Sequence, residues 1–165
     1  MLVTVISLLV TALLVLLVLK ATGTSGSGKS GTPSQSVSLA DTAQAQQNLS
    51  EGLSTLQQTD PSGQDSVDAA ALQSADPSVT YTSAASSSPS TISVATQADG
   101  SSVALADRST DGNCWMVWWS PTAGAWYGAQ TAQSSCTAPS VSGTPTPGPV
   151  SDSTVGWQQG SFPAA

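Results

Sequence analysis

The first 19 residues, MLVTVISLLVTALLVLLVL, carry no charge, and nothing else in the chain restricts its fate as strongly. At about 1.5 Å rise per residue, such a helix spans roughly 28 Å, close to the ~30 Å hydrocarbon core of a bilayer. Thr4, Ser7 and Thr11 are its polar side chains, and their hydroxyls can bond back to helix carbonyls. Lys20 then marks a water interface. The run predicts a transmembrane helix over 1–20. The alternative is a cleaved signal peptide. That needs a basic n-region and an apolar core of about 7–15 residues, and Ala21-Thr22-Gly23 is a poor cleavage match. Lys20 and Lys29 vote weakly for a cytoplasmic C-terminal side. The cysteine pair and the Ser/Thr-rich composition vote for an exported one. The expectation is a single-pass protein of the cell membrane with an extracellular C-terminal head.

Residues 21–37 follow as a Gly/Ser-rich linker without apolar periodicity. From Ser38 to Gln58 the pattern turns helical, with Ser38 as N-cap and Asp41 in capping-box position. Leu39, Thr42, Gln46, Leu49, Leu53 and Leu56 fall at 3-4 spacing, a stripe that is apolar in its second half. Gly52 within it costs about 1 kcal/mol relative to Ala. Asp60-Pro61-Ser62-Gly63 reads as a turn. Residues 66–75 read as a short Ala-rich helix around Leu72, stopped at Asp76-Pro77.

After Pro77 the period becomes two. Val79 and Tyr81, Ile92 and Val94, and Val103 and Leu105 alternate with small or polar residues. Asp99-Gly100 and Asp111-Gly112 are type I′ hairpin signals. Cys114–Trp119 is a strongly β-favouring strand, and Trp126-Tyr127 opens another after a turn from Pro121 to Gly124. The fold class is α+β: an amphipathic helix on a four- or five-stranded antiparallel meander, over 38–136. Residues 137–155, with four prolines, read as a loose arm. Residues 156–165, holding Trp157 and Phe162, read as a segment that docks back on the head.

The chemistry available is narrow. Histidine is absent, which excludes Ser-His-Asp and Cys-His catalysis and His-based metal sites. Lys20, Lys29 and Arg108 are the only basic residues, and the net charge of −7 argues against nucleic acid as a partner. No catalytic residue, metal site or cofactor is expected, and the chain does not read as an enzyme. Asp60, Asp65 and Asp68 are close in sequence but miss the calcium-loop spacing, so turn and cap roles account for them. Asn48-Leu49-Ser50 fits a glycosylation sequon, a tripeptide frequent by chance. Cys114 and Cys136 are the only cysteines, and one disulfide is the economical reading.

Trp115, Trp118, Trp119 and Trp126 crowd into twelve residues, with Trp157 near the end. In a strand, Trp115, Val117 and Trp119 share one face while Met116 and Trp118 share the other. One face must pack on the helix. The five tryptophans either enlarge a poor core or form a contact surface for a glycan or a neighbouring subunit.

The order of these parts resembles type IV pilins and pseudopilins, and most nearly pilin-like proteins of high-GC Gram-positive bacteria. The resemblance rests on DTAQAQQNLSEGLSTLQQ (41–58), on DGNCWMVWW followed by WYG and Cys136, and on the closing GWQQGSFP (156–163). It implies a structural subunit whose apolar helix lies in a membrane or filament core and whose head faces outward. It also implies that Cys114 and Cys136 close a C-terminal disulfide loop. The partners implied are the membrane and other pilin-like subunits or assembly proteins. The role implied is that of a minor pilin or pseudopilin in filament assembly, secretion or adhesion. The rival reading is a surface-displayed module that binds glycan or cell wall through its Trp-rich sheet face.

Overall fold

The computed structural model describes residues 33–63, 66–97, 100–140 and 143–165. The expected membrane helix, the linker up to residue 32, Asp65 and Asp99 lie outside the described residues. Among those described, no helix is long and apolar enough to cross a membrane.

Helix α1 runs from Pro33 to Thr59. Proline suits a first helical turn, where its missing N–H has no intrahelical acceptor to satisfy. Ser38 therefore sits inside the helix rather than at its cap, and helical structure begins within the stretch read as linker. The buried stripe is Ala45, Asn48, Leu49, Gly52, Leu53 and Leu56. Leu39 lies off it and is 71% exposed. The sequence stripe is thus right from Leu49 onward and rotated away before it, because Ala45 and Asn48 do not look like anchors. α1 ends where the Asp60 N–H bonds to Leu56 O at 2.9 Å and the chain reverses at Gly63, whose φ is +62°.

Helix α2, Ala69–Ala75, is capped by Asp68, whose carboxylate accepts from the Ala71 N–H at 2.8 Å. Leu72 is its buried anchor. The strands are β1 (Thr80–Thr82), β2 (Thr91–Thr96), β3 (Val103–Arg108), β4 (Cys114–Ser120), β5 (Gly124–Gln130) and β6 (Gly156–Gln159). They form one sheet in sequence order.

Two features correct the expected four- or five-stranded antiparallel meander. The sheet has six strands, and β1 pairs with β2 in parallel, Tyr81 opposite Ile92. The connection SAASSSPS (83–90) has no Gly, Asn or Asp to supply the positive φ of a tight hairpin turn. The chain swings away instead, exchanges backbone hydrogen bonds between Ser86 and Cys136 at 2.7 and 2.9 Å, and returns. The sixth strand holds a single large apolar residue, Trp157, too little for a period to register. All other neighbouring pairs are antiparallel.

The hairpins also differ from type I′. Ser109 and Asn113 close a three-residue loop in which only Gly112 is left-handed, at φ +90°. This is a type I turn plus a glycine bulge. Asp111 instead stays right-handed, and its carboxylate accepts from Ser109 Oγ and from the Asn113 N–H. The turn before β3 is wider: the Gln97 N–H reaches Ser102 O at 3.0 Å.

Both sheet faces are covered. α1 lies across β2, β3 and β4, and α2 packs on β1, β2 and α1. Leu49, Leu53, Leu56 and Leu72 meet Ile92, Leu105, Trp115, Val117 and Trp119 there. On the opposite face Ala104, Ala106, Met116 and Trp118 lie under Cys136, Ala138 and Trp157. The stretch read as a loose arm contributes to this packing. Ala138 is buried, its N–H donates to Ser93 Oγ at 3.0 Å, and Pro147 bridges Trp157. The C-terminal segment docks through β6 and through Phe162, which meets the rings of Trp115 and Tyr127 edge-on at 5.9 and 5.0 Å. At the far side, the Gln73 amide donates to Val79 O at 3.0 Å and accepts from the Tyr81 N–H at 2.9 Å.

Candidate functional site

Cys114 on β4 and Cys136 beyond β5 are joined, with Cα atoms 5.3 Å apart. Both are buried on the sheet face away from α1. The bond closes the loop that carries β5, and the Ser86–Cys136 backbone pair fixes its far end.

The five tryptophans do not form an exposed surface. Trp115, Trp118, Trp119 and Trp157 are 3, 2, 6 and 7% exposed, and Trp126 is half-buried. The alternation of β4 sends Trp115 and Trp119 under α1 and Trp118 under the Cys136 strap. Trp157 lies over Gly128, its register partner, where a side chain would meet the indole at 2.8 Å. The sequence could not show that both faces are covered, because the second cover is irregular chain without periodicity. Trp115 Nε1 donates to Ser109 Oγ at 3.1 Å, whereas the buried indole nitrogens of Trp118 and Trp126 find no acceptor among the described residues.

A cluster that sequence reasoning missed sits between α1, the 83–90 loop and β3. Asp107 is fully buried. Ser86 Oγ lies 3.2 Å from its Oδ1 and 3.1 Å from Ser88 O, one hydroxyl proton serving both acceptors, and Asn48 Nδ2 lies 3.4 Å from its Oδ2. Asn48 also donates to Pro89 O and accepts from Gln44 Nε2 at 2.8 Å. The Arg108 N–H bonds to Ser86 Oγ at 3.1 Å. Burial drives the Asp107 carboxyl up to about 7 from 3.8, against the opposing pull of its bonds with Asn48, Ser86 and the Arg108 backbone. Asn48 is therefore a packed hydrogen-bonding residue, and its sequon is closed in the folded chain. The signal available in the sequence was an aspartate directly following the apolar run Val103–Ala106 in the strand VALADR.

The other acids serve locally. Asp76 is held below the usual carboxylate range by the Ser78 hydroxyl and backbone N–H. Burial pushes Asp111 up, but its bonds from Ser109, Asn113 and Thr42 outweigh that and lower it. Burial and the nearby Asp76 carboxylate push Tyr81 up to about 12. Thr110 donates to Asp41 and Thr42 to Asp111, so α1 and the β3–β4 turn exchange reciprocal bonds. Asp60 accepts from Ser62 Oγ at 3.2 Å, while Asp68 is a helix cap. Among the described residues no group of three His, Cys, Asp or Glu side chains is placed to hold a metal ion. An open groove of about 410 Å³ lies between α2 and β1, lined by Asp68, Gln73, Tyr81 and Thr82 among others.

Compared with protein-family models, with curated proteins and with solved structures, the chain matches none.

Proposed function

We propose that the chain is a membrane-anchored extracellular structural protein of pilin-like design, acting as a minor pilin or pseudopilin in filament or secretion-system assembly or in adhesion. The observation that carries this reading is the way α1 lies on the sheet. Its C-terminal half is buried against β2–β4, and the strands beyond are closed by the Cys114–Cys136 bond. Upstream stands the uncharged run 1–19, long enough to cross a bilayer. The cell membrane and other subunits of the same kind are the partners this reading assigns.

Burial of four tryptophans weakens the glycan-binding alternative, since a stacking platform needs exposed rings. The test is thiol labelling with a membrane-impermeant maleimide on intact cells, with and without reductant. Labelling of Cys114 and Cys136 only after reduction is the expected result. Labelling without reductant, and only after lysis, overturns the extracellular assignment. Site-specific cross-linking from the exposed Leu39 position then reads subunit contact. Cross-links to pilin-like neighbours are expected, and a head that never cross-links to another subunit overturns the assembly role.

A further inference from the structure

Asp107 is the meeting point of three parts of the chain. It belongs to β3, its Oδ2 faces Asn48 of α1, and its Oδ1 accepts from Ser86 of the 83–90 loop. Ser86 in turn pairs with Cys136, so the disulfide-bearing loop is tied to the same point. Among the described residues no cation offsets the carboxyl. The neighbouring Arg108 directs Nε to Gln133 O at 2.8 Å. On α1 the acids are Asp41, engaged by Thr110, and Glu51, exposed and engaged by Gln47. On β4 the residue opposite is Trp115, and on the β3–β4 turn Asp111 is engaged by Ser109, Asn113 and Thr42. The 83–90 loop and residues 131–140 around Cys136 hold no titratable side chain apart from the bridged cysteine.

We infer that Asp107, Asn48 and Ser86 form a proton-operated clasp fastening α1 and the 83–90 loop to the sheet, firm while the carboxyl is neutral and loosened by its ionisation. A buried carboxylate with neutral donors alone is poorly solvated, and releasing it into water is the way to charge it. The sign follows from proton binding. Folded Asp107 holds its proton up to about 7, and the released residue only to about 3.8. Between these values the folded state binds more protons, so stability falls as pH rises. The contribution is complete below the lower value and gone above the upper one. The inference does not depend on the pilin-like reading, because it concerns the head alone.

The experiment follows amide hydrogen exchange along Ala45–Leu56 and the carboxyl carbon signal of Asp107, in the full chain with the disulfide intact. Exchange is corrected for its intrinsic pH dependence. In the wild type the opening constant is expected to rise about tenfold per pH unit between about 4 and about 7, then level off. Asp107→Asn keeps the site neutral and should remove that slope. Ser86→Ala removes a donor to the ionised form and should move the levelling point to higher pH. Parallel wild-type and Asp107→Asn profiles overturn the clasp. So does a carboxyl midpoint in the ordinary range in the wild type, a reading that stands even where Asp107→Asn fails to fold.

Discussion

The two faces of the sheet are built in contrasting ways from one alternating strand. Under α1, β4 presents Trp115, Val117 and Trp119 to a regular helix whose leucines repeat at 3-4 spacing. On the other side it presents Cys114, Met116 and Trp118 to irregular chain. A helix delivers one large side chain per turn at fixed positions, so aliphatic residues suffice. Irregular chain delivers few, here Ala138 and Val155, and a covalent bond together with the broad β6 indole of Trp157 over Gly128 makes up the difference. Regularity and cross-linking are thus alternative ways to hold a cover on a sheet.

The contrast is broken most severely by removing the bridge. The double substitution Cys114→Ser and Cys136→Ser frees a loop of 22 residues, and should cost about 3 kcal/mol by loop-closure entropy. Denaturant unfolding checks this, with amide protection lost first on the strap rather than along α1. Next come two glycines, one per face. At Gly128 an added methyl meets the rigid Trp157 ring at 2.8 and 2.9 Å, so Gly128→Ala should cost about 1–3 kcal/mol. At Gly52 it meets the ends of Leu105 and Ile92 at 3.2 and 3.3 Å. There a helix-propensity gain of about 1 kcal/mol opposes the crowding, and Gly52→Ala should fall within about 1 kcal/mol of wild type. Equal losses at the two sites would erase the distinction between a yielding aliphatic face and a stiff aromatic one. The smallest effect concerns two indoles. Trp115→Phe gives up the bond to Ser109, while Trp118→Phe gives up an unpaired donor. Trp115→Phe should be the more destabilising by about 1 kcal/mol, read from the same unfolding curves.

What was legible in the residues follows the same divide. β4, the Pro121–Gly124 turn, the Leu72 helix and the second half of α1 were visible because a period or a turn residue marks each. The parallel β1–β2 pair was not, since only the missing turn chemistry of 83–90 hints at it. That four of the five tryptophans of the candidate contact surface are buried was hidden for a related reason. Composition shows that indoles are abundant, and alternation assigns them to faces, but neither reveals that irregular chain roofs the second face. The Asp107 cluster was hidden because Asn48 and Ser86 are ordinary surface residues by type. Only the tertiary fold makes them neighbours of a buried carboxyl, 59 and 21 positions away.

The Gln73 amide has a consequence for how this molecule meets copies of itself. It occupies the outward carbonyl of Val79 and the outward amide of Tyr81, the pair that an incoming strand would use to dock on β1. At the opposite end the Pro147 segment lies along β6 in the same manner, and a proline offers no N–H to a newcomer. A side chain and a proline thus act as stoppers on the hydrogen-bonding ladder, one at each end. Splicing one such sheet onto the next would have to displace these stoppers, which leaves side-chain surfaces and α1 as the less obstructed routes to contact.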